Sequence, residues 1–132
     1  MQSLLFGLLD RWRAPAPKPG KVDWLGSHAY AHRGLHGAGL PENSPAAFAA
    51  AMERGMGIEC DIQMSRDNVP LVFHDWELDR LTKERGKTVA RTADDLCRIA
   101  LMETDQTIWR LAELLELVAG RVPILVEIKA QP

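Results

Sequence analysis

The segment Gly57–Met64, GIECDIQM, sets Glu59 and Asp61 two residues apart in a run whose other members are mostly apolar. In a strand, alternate residues share a face, so both carboxylates point one way while Ile58, Cys60, Ile62 and Met64 point the other. Two carboxylates on an inward face repel each other, and a cation relieves that repulsion. All-oxygen ligation favours a hard divalent ion, Mg²⁺ or Ca²⁺; the alternative is an edge strand whose carboxylates face water. Three other segments end in chemically capable residues. AYAHRG carries His32 and Arg33, VPLVFHD ends in His74 and Asp75, and VEIK sets Glu127 and Lys129 on one face, two apart. Imidazole titrates near neutral pH and suits proton transfer. A guanidinium and an ammonium suit a phosphate. Together these residues fit metal-assisted cleavage of a phosphate ester.

Such a set works only if one fold brings the segments together. Apolar strand-like runs at 27–32, 57–64, 69–74 and 122–129 alternate with helical stretches. Ser44 is a good N-cap with Pro45 in the first turn, and alanines lead to Arg54 with Gly55 as the stop. Thr92 caps a short helix predicted to reach about Leu101, and 108–118 reads as a helix with Leu111, Leu114, Leu115 and Val118 on one face. Strands alternating with helices predict a parallel α/β sheet, whose carboxyl ends converge on one side.

The bulk properties bound the rest. The chain has 132 residues, 46% hydrophobic, with a net charge of -2. That permits one domain with a buried core and gives no basic excess for nucleic acid. Cys60 and Cys97 have no metal or redox spacing; Cys60 reads as a small buried hydrophobe in a reducing compartment. Residues 1–13 carry Leu4, Leu5, Leu8, Leu9 and Trp12 at helical spacing. The run is too short to span a bilayer and lacks the features of a signal peptide. It reads as a helix packed on the domain surface or lying at a membrane interface, the chain being cytoplasmic and, in the second case, membrane-peripheral. Residues 14–22 form a proline-rich linker and 23–132 the main domain.

The segments AHRG, PENS..AF..AM..G, ECDIQMSRDNVPLVFHDWELDRLT and VEIK, in this order and spacing, closely resemble the glycerophosphodiester phosphodiesterase family. The resemblance runs from about Ala31 to Lys129. It implies a (β/α)₈ TIM barrel related to bacterial phosphatidylinositol-specific phospholipase C. It also implies divalent-cation-dependent hydrolysis of glycerophosphodiesters to glycerol 3-phosphate and an alcohol. Position by position, it makes His32 and His74 the catalytic pair and Glu59, Asp61 and Glu127 the metal ligands. Arg33 contacts phosphate, Lys129 completes the last strand motif, and Glu42 stands near the metal or just behind its ligands. A helix-start carboxylate is the other reading of Glu42, and Asn43 is read as shaping the loop. SRDN departs from the family's usual turn, Trp109 stands near where a proline often begins its segment, and His36 has no assigned role.

A full barrel needs about 250 residues. The expectation is therefore the N-terminal half, about four strands, ending after the fourth at KAQP. Such a half would associate with a second copy or be only marginally stable, since its sheet edges are unpaired. A related phospholipase acting on lipids, or an inactive self-associating fragment, are the competing readings.

Overall fold

A computed structural model describes residues 16–129. The expected helix at 1–13 lies outside them. Of the linker, residues 16–22 are described, and they pass through a turn closed by Lys21 N–H donating to Lys18 O. A 3₁₀ turn, Asp23–Ser27, leads into β1 (Tyr30–Ala31). There follow α1 (Pro45–Glu53), β2 (Gly57–Met64), β3 (Pro70–Val72), α2 (Ala93–Leu96), β4 (Trp109–Arg110), α3 (Leu111–Val118) and β5 (Ile124–Ile128). A second 3₁₀ turn covers Thr88–Ala90.

Strand β2 organises the sheet. Strand β5 runs parallel along one edge, from Ile58↔Ile124 to Ile62↔Ile128. On the other edge β1 pairs in parallel at Gly57 and Ile58, and β3 pairs antiparallel at Ile62 to Met64. The parallel expectation therefore fails for 69–74. The four-residue turn Ser65–Asn68 cannot make the long crossover a parallel neighbour needs, so the chain folds back as a hairpin. Asn68 takes a left-handed φ of 60° there. Asp67 accepts from Ser65 Oγ and from Ala93 N–H at the start of α2, which holds its carboxyl below the usual range.

Ser44 caps α1 as expected, its Oγ accepting from Ala47 N–H at 3.2 Å. Helix α1 buries Ala47, Phe48 and Ala51. Phe48 and Ala51 pack with Ile58, Cys60, Val72, Leu114 and Val118 behind the sheet. Cys60 is fully buried, which together with Glu59 and Asp61 pushes its thiol up to about 12. A second cluster fills the space under the hairpin with Leu71, Phe73, Leu78, Leu96, Leu101 and Ile108.

Three helix and strand expectations change. Helix α2 ends at Leu96, because Leu96, Ile99 and Leu101 all bury in one cluster, and a helix would set Ile99 and Leu101 on opposite sides. The helix predicted from 108 starts at Leu111, since Trp109 and Arg110 pair with Val72 and Leu71 as a fifth strand. The Glu113 carboxylate takes the freed Arg110 N–H at 2.8 Å. Leu111, Leu114 and Val118 face the core, but Leu115 is half exposed.

Gly34 is required by the close approach of α1. Its φ is +78°, and a Cβ there would stand 2.8 Å from the Ala47 side chain and 2.9 Å from Ala47 backbone. Gly34→Ala is expected to destabilise the fold by about 2–4 kcal/mol through left-handed strain and overpacking, read as a lower urea midpoint. An unchanged midpoint would count against this account.

Candidate active site

The acidic face of β2 points where the sequence reading put it. Glu59, Asp61 and Glu127 each offer a carboxylate oxygen, all within 4.8 Å of one another. The in-register pairing Asp61↔Glu127 produces this approach. Asp61 is buried, Glu59 half-buried and Glu127 exposed. Asp61 Oδ1 is buried and accepts no hydrogen bond, although Lys129 Nζ lies 3.1 Å away. A converging set of three carboxylates, one of them buried, offers only oxygen and fits a hard divalent cation.

Two cations supply the countercharge. Lys129 pairs with Glu127 and Asp61, and these contacts, the Glu127 one foremost, raise its pKa. Arg33 Nε lies 3.2 Å from Asp61 Oδ2, and its Nη1 donates to Glu42 Oε1 at 2.9 Å. Arg33 has a left-handed φ of 54°, which lets its N–H donate to Glu59 Oε2 at 2.9 Å. Asn43 shares that geometry, with φ 53°. It donates from Nδ2 to Asp61 Oδ2 at 3.0 Å, and its own N–H donates to Arg33 O at 2.8 Å. The HRG and PEN segments are thus clasped together around Asp61.

The histidines differ in how firmly they are held. His32, just beyond β1, is 68% exposed, with Nε2 4.0 Å from Glu59 Oε2. His74 arrives by the hairpin: Phe73 N–H donates to Asp61 O at 3.0 Å, and the next residue, His74, lines a cavity with Lys129 although β3 runs backwards. His74 Nδ1 is 2.7 Å from Asp75 Oδ1. A cavity of about 540 Å³ is lined by His74, Asp75, Trp76, Glu77 and Lys129. A larger one of about 800 Å³ includes none of these residues; in its wall Arg91 pairs with Glu84 and Lys83 with Glu103. His36 is exposed.

Two residues of the site were not read from the sequence. Arg80 donates from Nε to Asp75 Oδ2 at 2.6 Å and from Nη2 to Glu42 Oε1 at 2.7 Å. Gln63 is buried and donates to the carbonyls of His74 and Asp75. Gln63 continues the alternation of Glu59 and Asp61, which is the signal that could have found it.

These pairings set the charge states. Burial opposes the charge on Glu42, but Arg80 and Arg33 outweigh it and hold the carboxyl below its usual value. Arg80 does the same for Asp75 against its burial, with help from His74. A carboxyl lowered by folding contributes stability above its unfolded pKa, and that stability is lost as pH falls through the folded value. The two unfolded reference values are 4.5 and 3.8. The urea midpoint is therefore expected to fall as pH drops below about 4; a midpoint flat across that range would overturn this.

The chain matches the glycerophosphoryl diester phosphodiesterase family over residues 32–132. It belongs to that family. A glycerophosphodiester phosphodiesterase of Bacillus altitudinis is 37% identical over 107 residues, covering 76% of this chain and 43% of the relative. Among solved structures, the Agrobacterium tumefaciens glycerophosphodiester phosphodiesterase is 30% identical with a TM-score of 0.71, covering 78% of this chain and 47% of that one. An Oleispira antarctica phosphodiesterase, solved with the product sn-glycerol-3-phosphate, is 26% identical with a TM-score of 0.73, covering 80% and 47%. The family's solved members are TIM barrels, and this chain covers part of one. It spans less than half the length of these relatives. No helix among the described residues is long and apolar enough to cross a membrane.

Proposed function

We propose that the barrel containing this chain hydrolyses glycerophosphodiesters to sn-glycerol 3-phosphate and an alcohol. The observation that carries the reading is the meeting of Glu59, Asp61 and Glu127 within 4.8 Å in a chain of this family. These three would hold Mg²⁺ or Ca²⁺, which when bound would offset charge on the phosphate oxygens. Arg33 and Lys129, both beside Asp61, orient the phosphate and oppose the charge that grows in the transition state. Glu42 holds Arg33 in place from behind. His32, exposed and near Glu59, takes the proton of the nucleophile, either water, which gives glycerol 3-phosphate directly, or the neighbouring glycerol hydroxyl, which gives a cyclic phosphate that water then opens. His74 gives a proton to the oxygen of the departing alcohol, and the Asp75 carboxylate stabilises its charged ring. Residues 23–132 are the barrel segment, preceded by the proline-rich stretch 14–22 and the apolar stretch 1–13; the setting is cytoplasmic.

The test measures glycerol 3-phosphate release by the 132-residue chain, alone and completed with the C-terminal half of the Bacillus altitudinis relative. Release that is abolished by EDTA and restored by Mg²⁺ or Ca²⁺ is expected. Release that survives chelation overturns the metal reading, and a folded, completed barrel without release overturns the function.

A further inference from the structure

We propose that Arg80 is a positioning residue for His74: its guanidinium fixes the Asp75 carboxylate, and that carboxylate fixes the histidine ring. The importance of the ring rests on the functional reading above, whereas its orientation is a property of the fold.

The contacts form a closed fork. Asp75 Oδ2 accepts from Arg80 Nε at 2.6 Å, and Asp75 Oδ1 accepts from Arg80 Nη2 at 2.9 Å. Glu42 closes the other side, with Oε1 at 2.7 Å from Nη2 and Oε2 at 3.1 Å from Nη1. A planar guanidinium held between two carboxylates sets the plane of each. The Asp75 backbone is also held, since its carbonyl accepts from Gln63 Nε2 and from Thr88 Oγ1. With backbone and carboxylate both fixed, Oδ1 stays 2.7 Å from His74 Nδ1.

The chemistry of that contact decides the ring's state. An ionised carboxylate can only accept, so Nδ1 must carry the hydrogen. Nε2 is then the atom left for the reaction, a proton acceptor in the neutral ring and a donor in the charged one. Arg80 itself is half exposed, while the Asp75 and Glu42 carboxylates beneath it are well shielded. An exposed single ion pair contributes little; the four-contact fork is what gives this arginine leverage. A lysine keeps the charge but cannot span both carboxylates in one plane.

The experiment reads the ring by ¹⁵N NMR on the labelled 132-residue chain at about pH 8, above the ordinary histidine pKa. Its signals are assigned by their loss in His74→Gln. The Nδ1–H tautomer is expected to dominate in the unsubstituted chain. Arg80→Met is expected to move the ring to the mixture seen in Asp75→Ala, and Arg80→Lys to move it part of the way. A merely structural arginine would lower thermal stability in both variants without moving the ring's ¹⁵N shifts. The proposal is overturned if the folded variants keep the original tautomer, or if the unsubstituted ring is not protonated on Nδ1. Should Arg80→Met not fold, Arg80→Lys decides alone. The readout needs no turnover, so a ring released in a chain without activity supports the positioning role while the functional reading fails.

Discussion

His74→Ala is expected to lower glycerol 3-phosphate release by the completed barrel about 10²–10⁴-fold, the usual worth of a positioned general acid or base. The loss should fall on kcat with KM little changed, because a proton moved only in the transition state does not help substrate bind. The leaving group sharpens the test. If His74 protonates the departing alcohol, a nitrophenyl ester, whose leaving group needs no proton, should recover most of the rate in His74→Ala. The same ester should recover little in His32→Ala, where the nucleophile's proton is at issue. Equal losses on both substrates would remove His74 from the acid role.

Asp61→Ala is expected to have the largest combined effect on folding and ion binding. Asp61 is buried, with Arg33 and Lys129 both beside it and Asn43 bonded to it. Removing one member of a buried charge set strands the others, at about 3–5 kcal/mol. It also removes one of three ligand carboxylates. Changes merely behind a ligand cost 10–100-fold in metal affinity, so a loss above about 100-fold is expected for the ligand itself. Chemical denaturation and calorimetric titration with Ca²⁺ and Mg²⁺ read the two effects separately. Glu127→Gln is the control: this carboxylate is exposed and paired with a lysine, so its loss should change stability by at most about 1 kcal/mol while weakening ion binding similarly. Unchanged affinity in both variants would remove these carboxylates from the metal role.

The chemistry was legible wherever it rode on strand periodicity. Glu59 and Asp61 share a face because strand residues alternate, and Glu127 meets them because β5 pairs with β2 in register. Strand direction was not legible from alternation, which is the same read forwards or backwards. The short SRDN turn carried that information, and the hairpin still brings His74 to a cavity that Lys129 also lines. Arg80 was hidden for a different reason. It lies outside any named helix or strand, 38 residues from Glu42 in sequence, and no local pattern marks a partner at that distance. Leu115 sits at the margin of its helical stripe, where spacing alone does not separate core from surface.

The ion pairs around Asp61 form one line of alternating sign: Asp75, Arg80, Glu42, Arg33, Asp61, Lys129 and Glu127. Its consequence is epistasis. Each interior member has two opposite neighbours, so deleting one leaves both uncompensated, whereas deleting adjacent opposite charges leaves fewer ends exposed. Substitutions along the line should therefore be non-additive, with coupling energies of about 0.5–3 kcal/mol between neighbours. A homologous sequence that drifts here is expected to change charges in pairs: the losses of Glu42 and of Arg80 are each tolerated better in the presence of the other than alone.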